Sequence, residues 1–112
     1  MSKIICLVKE PTMPIKWATV DNELHTFQSI VDGFIEVVYI NKHLAVICNE
    51  EGRIERKPYC CTIDGVHYVG TVILVGVDGE EFADLNVSVK DIAEYIPADD
   101  KYEGDIWDSW ED

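Results

Sequence analysis

The sequence predicts a small α+β domain: an antiparallel or mixed β-sheet with one amphipathic helix packed on a face and a short C-terminal helix. Three observations carry that expectation. The runs Phe34-Ile35-Glu36-Val37-Val38-Tyr39-Ile40 and Leu44-Ala45-Val46-Ile47-Cys48 are β-branched, aromatic and apolar, and Asn41-Lys42-His43 links them. Such a pair across a short polar link reads as a hairpin, with the wholly apolar second strand central in its sheet. Leu24, Phe27, Ile30 and Val31 recur at helical spacing, one stripe along about three turns. Val66 to Val77, VHYVGTVILVGV, reads as a further long strand, so a sheet of about four to six strands is expected.

Taken in order, Ile4 to Val8 is the first strand, and Pro11 and Pro14 bracket a loop because neither can donate to a ladder. Lys16 to Val20 suits a short extended segment. Asp21 and Asn22 offer capping side chains for a helix from Glu23 to Asp32, with Gly33 placed as its C′ residue. Glu50-Glu51-Gly52-Arg53 is a turn, and the polar, Pro58-containing stretch from Arg53 to Asp64 reads as a loop or a strand of low regularity. Asp64-Gly65 is a two-residue hairpin signal. Gly70 marks a bulge or a close backbone approach within the long strand. Asp78-Gly79 turns the chain again, and a short helix near Val87 to Tyr95, capped by Asn86 or Ser88, ends at Pro97. Residues 1–97 form a single domain in this reading, and residues 98–112 form an acidic, tryptophan-containing tail.

The chain has 112 residues, 47% of them hydrophobic, which suits one packed domain and excludes wholesale disorder. No apolar run reaches the roughly 20 residues that span a bilayer. The N-terminal segment lacks a secretory cleavage pattern, and four irregularly spaced cysteines suit a reducing compartment, so a cytoplasmic location is expected. Formal net charge is −13, and Asp78 to Asp112 hold 13 acids against 2 bases. Phosphate backbones and anionic membranes demand Lys and Arg, so nucleic acid and membrane surfaces are excluded as direct partners and basic proteins are favoured.

The N-terminal strand, the helix, Val31-Asp32-Gly33-Phe34-Ile35-Glu36-Val37-Val38 and Leu44-Ala45-Val46-Ile47-Cys48-Asn49-Glu50-Glu51-Gly52 together resemble domain of unknown function 3846. So does Gly70-Thr71-Val72-Ile73-Leu74-Val75-Gly76-Val77-Asp78-Gly79-Glu80-Glu81-Phe82-Ala83-Asp84-Leu85, a glycine-bounded strand with an acidic turn. The resemblance covers roughly residues 3–95 and rests on turns, caps and core strands. It implies a setting in bacteriophages, plasmids and other mobile elements of Gram-positive bacteria. Small phage proteins of similar size and acidity include anti-CRISPR and other anti-defence proteins. The Cys60-Cys61 pair and the tail after Pro97 depart from the family pattern.

Cys48, Cys60, Cys61 and His67 fall within 20 residues, with Asp64 between them, and are the candidate zinc ligands. Zinc wants a tetrahedral set, but no C-x₂₋₄-C chelate is present. On an extended backbone Cys60 and Cys61 would point to opposite faces, leaving a fourth ligand to Cys6 or His43. The alternative is that the cysteines act as small buried hydrophobes. No Gly-rich phosphate loop, HExxH or G-x-S-x-G motif is present, and Cys60 with His67 lacks any nucleophile signature, so no enzymatic activity and no required cofactor are expected.

The candidate partner-binding residues are Asp84, Asp91, Glu94, Asp99, Asp100, Glu103, Asp105, Trp107, Asp108 and Trp110. Dense carboxylates steer association with a basic cleft. Trp107 and Trp110 either anchor in a partner or pack back on this protein's own sheet. The functional expectation is an acidic phage-type inhibitor that binds the basic nucleic-acid-binding surface of a host enzyme. A Cas nuclease such as Cas9 is the leading target, a choice that comes from the family's setting. The competing reading is a non-enzymatic scaffold or protein-interaction domain, with or without a zinc ion.

Overall fold

Among residues 2–87, which the computed structural model describes, the elements run β1 (Lys3–Lys9), β2 (Lys16–Asp21), α1 (Leu24–Val31), β3 (Ile35–Asn41), β4 (Leu44–Asn49), β5 (Tyr59–Ile63), β6 (Val66–Val69), β7 (Val72–Asp78) and β8 (Glu81–Ala83). Strands β2-β1-β7-β4-β3 form the main sheet in that order, β8 adds to β7, and β5-β6 stand apart as a hairpin. Every pairing is antiparallel. The α+β expectation is corrected here: the described residues are dominated by strands, with one eight-residue helix. The stretch read as a loop or a strand of low regularity supplies β5, and the region after Gly65 supplies three strands. The second helix expected near Val87 to Tyr95 lies, from residue 88 onward, outside the described residues.

Strand β4 holds the centre as its apolar run predicted, with all six residues buried between β7 and β3. Side chains alternate across a pleat, and this alternation divides the core in two. Leu44, Val46, Cys48, Val72 and Leu74 face the β5-β6 hairpin, whose Cys60, Cys61, Ile63 and Tyr68 complete one cluster. Ala45, Ile47, Ile73, Val75 and Val77 face α1, which contributes Phe27 and Val31 to the other. The sheet is therefore covered by a helix on one face and a hairpin on the other. Each fully buried large side chain stabilises by about 1.5–3 kcal/mol.

Three local expectations shift. Helix α1 begins one residue late, with Glu23 as its N-cap and no side-chain capping bond. Asp21 instead pairs with Lys3 at 2.9 Å, and the Asn22 amide donates to the Phe82 carbonyl at 3.2 Å. The expected long strand from Val66 to Val77 is broken at Gly70, whose φ of 70° turns the chain from the hairpin into the main sheet. The Asp64-Gly65 hairpin is as predicted: both residues have positive φ, 50° and 81°, as a type I′ turn requires.

Candidate functional site

A cleft of about 200 Å³ lies between the outer part of the main sheet and the hairpin. Edge strand β3 and its neighbour β4 provide the floor through Glu36, Val38 and Cys48, and β6 provides a wall through Val66 to Val69. The turn after β4 closes one end with Glu50 and Arg53. Strand alternation puts Glu36 here: it shares the hairpin-side face with Val38, while Ile35 and Val37 turn toward α1. Glu36 is the register partner of Cys48 across β3-β4, and the Cys48 thiol donates to the Glu36 carbonyl at 3.7 Å.

Tyr68 is the unusual group at this site. Its side chain is 5% exposed, and its hydroxyl, fully buried, has no hydrogen-bond partner among the described residues. Burying a hydroxyl without a partner costs roughly 1–3 kcal/mol by mutational measures. Burial pushes the Tyr68 hydroxyl up to about 12, with Cys48, Cys61 and Glu36 adding to the shift. Tyr68, Cys48 and Glu36 all line the cleft. The phenol thus stays neutral at physiological pH and retains both a donor and an acceptor. Beside it, His67 Nδ1 lies 2.7 Å from Thr62 Oγ1, which also contacts the Tyr59 hydroxyl.

The proposed zinc ligands are near one another in sequence and do not assemble. Among the described residues no three His, Cys, Asp or Glu side chains converge as a ligand set. Cys48, Cys60 and Cys61 are buried in the hairpin-side core, and the Cys60 thiol donates to the Lys9 carbonyl at 3.2 Å. The β5-β6 register shifts between Tyr59 and Cys61, and both cysteines are buried. Burial raises the Cys48 thiol to about 11, and Cys6 likewise. Among the described residues His43 and Cys6 do not complete a set either.

Of the candidate partner-binding residues, Asp84 alone is among those described, and it is exposed. Its carboxylate also has an internal task. Strand β7 pairs with β1 at Leu7 to Lys9 and with β8 at Gly76 to Asp78, so the sheet forks between them. At the fork Asp84 Oδ1 accepts from the Ile5 N–H at 2.8 Å, and the Leu85 N–H donates to the Ile5 carbonyl at 2.8 Å. A Cβ on Gly76 would run into the Asp84 carbonyl, so the chain can cross there only over glycine. Asp78, Glu80 and Glu81 are exposed around the β7-β8 turn. Asp91, Glu94, Asp99, Asp100, Glu103, Asp105, Trp107, Asp108 and Trp110 lie outside the described residues.

Sequence reasoning missed Tyr68 and Asn49. Tyr68 alternates with His67 in a strand and looks like ordinary core. Asn49, the buried polar residue at the end of β4, could have been flagged as a polar side chain terminating an apolar run.

The family model described as Domain of unknown function (DUF3846) matches residues 3–96. That is most of the chain, and the chain belongs to this family. No curated protein and no solved structure gives a significant match. No helix among the described residues is long and apolar enough to cross a membrane.

Proposed function

We propose that this protein is a non-enzymatic, acidic inhibitor that works in the cytoplasm of a bacterial host cell, binding the basic nucleic-acid-binding surface of a host enzyme. A Cas nuclease is the foremost candidate, chosen on the mobile-element setting that the family resemblance implies. The observation that carries the reading is charge placement: 13 acids against 2 bases from Asp78 onward, where residues 1–77 hold 9 acids against 7 bases. The exposed Asp78, Glu80 and Glu81 at the β7-β8 turn support it, because solvated carboxylates on a rigid turn project a field that steers basic partners. Thiols buried and pushed up to about 11 at Cys6 and Cys48 are poor nucleophiles, which favours a binding role over thiol chemistry.

The test is capture from host lysate on immobilised full-length protein at low and high salt, with duplex DNA and guide RNA as competitors. The expected captive is a basic nucleic-acid enzyme, released by salt and by either polynucleotide. A neutral captive, held equally at both salts and indifferent to nucleic acid, contradicts the proposal.

A further inference from the structure

We propose that residues 88–96, which lie outside the described residues, dock as a short amphipathic helix on the open half of the main sheet, against Ile5 of β1 and Trp17 of β2. This placement is independent of the function proposed above.

The two faces of the β1-β2 pair are covered unequally. Ile4, Cys6 and Val8 turn to the α1 side and are at most 5% exposed. Leu7 turns to the opposite side, into the cluster shared with the β5-β6 hairpin, and alternation puts Ile5 on that side too. Trp17 is the register partner of Leu7, and residues directly opposite in an antiparallel pair share a face. The hairpin packs on this face over β4 and β7, whereas Ile5 and Trp17 are each 44% exposed. Two large apolar side chains therefore stand half in water on strands whose other face is buried.

Three observations name the occupant. The first is the path of the chain. The Leu85 N–H donates to the Ile5 carbonyl, and Asp84 Oδ1 accepts from the Ile5 N–H. Leu85 is buried in the same cluster as Leu7, and Val87 packs against it. Residue 88 thus begins on this face, three positions beyond a residue bonded to Ile5. The second is the pattern of Ser88 to Ile96: Val89, Ile92 and Ile96 recur at i, i+3 and i+7, one face of a helix, with Asp91 and Glu94 opposite. Nine helical residues extend about 14 Å, and a helix roughly 10 Å across covers two strands about 5 Å apart. The third is the span of the family match, residues 3–96, which takes in this whole stripe and stops at the residue before Pro97. Docked in this way, the segment turns Asp91 and Glu94 outward and starts the acidic tail from the β1-β2 side of the sheet.

The experiment reads side-chain proximity in the full-length wild-type chain by isotope-edited NOE spectroscopy. The expected result is cross-peaks from the Trp17 indole to the methyl groups of Val89 and Ile92, present within one molecule. Cross-peaks from Trp17 to Trp107 or Trp110 in their place would overturn the proposal, since the tail indoles would then be the cover. Cross-peaks seen only between differently labelled copies would overturn it in favour of a dimer, and no cross-peak at all would overturn it outright. A second measurement uses Trp107→Phe with Trp110→Phe, which leaves Trp17 as the sole tryptophan. In that background Ile92→Asn should raise acrylamide quenching of Trp17 by about twofold or more, because the indole loses its cover. The amide shifts of Phe27 and Val31, on the other face, should stay in place. Unchanged quenching would contradict the docking, and if the variant fails to fold, the wild-type cross-peaks decide alone. Neither measurement involves a partner, so both are separable from the outcome of the lysate capture.

Discussion

The Asn49 side-chain amide donates to the Asp32 carbonyl at 2.9 Å and to the Val31 carbonyl at 3.2 Å, fastening the last turn of α1 to the end of β4. Its Oδ1 accepts from the Glu51 N–H at 2.7 Å. Gly33 makes room: a Cβ there would come 2.5 Å from Asn49 Nδ2. Asn49→Ala should cost about 1–3 kcal/mol, the range for stranding buried backbone groups. Asn49→Asp should be at least as damaging, because a carboxylate turned on two carbonyls repels them. Thermal melts of the pair check this, and a Tm for Asn49→Asp equal to wild type would refute the clamp.

Val46 is fully buried in β4 on the hairpin side of the sheet. Val46→Asp should place an unpaired charge there and unfold the domain, since several kcal/mol is a large share of the stability of a small protein. Far-ultraviolet circular dichroism and a denaturant titration read the outcome, and a cooperative transition at the wild-type midpoint would contradict it.

Stability should decline on the alkaline side. Burial raises Cys6 and Cys48 from about 9 to about 11, and Tyr68 from about 10 to about 12. A raised folded-state value means the native protein holds the proton that the unfolded chain releases, so stability is fully present below about pH 9 and is lost as pH rises toward 11. Denaturant midpoints at pH 8 and pH 10.5 test the sign. Cys6→Ala with Cys48→Ala should flatten the decline, and stability that rises with pH over this window would contradict it.

The hairpins, the central strand and the stripe of α1 were legible because periodicity and turn chemistry are local signals. Asp64-Gly65 declares its own turn through two residues that tolerate positive φ. What was not legible depends on partners distant in sequence. Asp21 and Asn22 look like helix caps, yet Lys3 and Phe82 claim them from across the sheet. Cys60-Cys61 looks like an alternating pair, yet both are buried in a strand whose register shifts between Tyr59 and Cys61. The fold class was misjudged for a similar reason. Tyr59 to Ile63 lies in a polar stretch behind Pro58 that suits a loop or an irregular strand, and it forms a strand because β6 pairs with it and the main sheet offers Leu44, Val46 and Leu74 to cover. The cleft was invisible, since Glu36 and Tyr68 are 32 positions apart and neither belongs to a motif.

Trp107→Ala and Trp110→Ala separate two roles for the tail indoles. If they anchor in a partner, each should speed dissociation by the equivalent of roughly 2 kcal/mol, the scale of an interface hot spot, with Tm unchanged. If they pack on this protein's own sheet, Tm should fall and binding should change only through unfolding. Melting temperature and dissociation rate measured on the same variants distinguish them.

The most direct test of acidic recognition is the association rate of the captured partner, measured across salt, for a variant carrying Asp99→Asn, Asp100→Asn, Glu103→Gln, Asp105→Asn and Asp108→Asn. Long-range steering acts on encounter, so the variant should keep its fold, associate about tenfold or more slowly at low salt, and show a shallower salt dependence than wild type. An association rate and salt slope equal to wild type would contradict recognition through these acids.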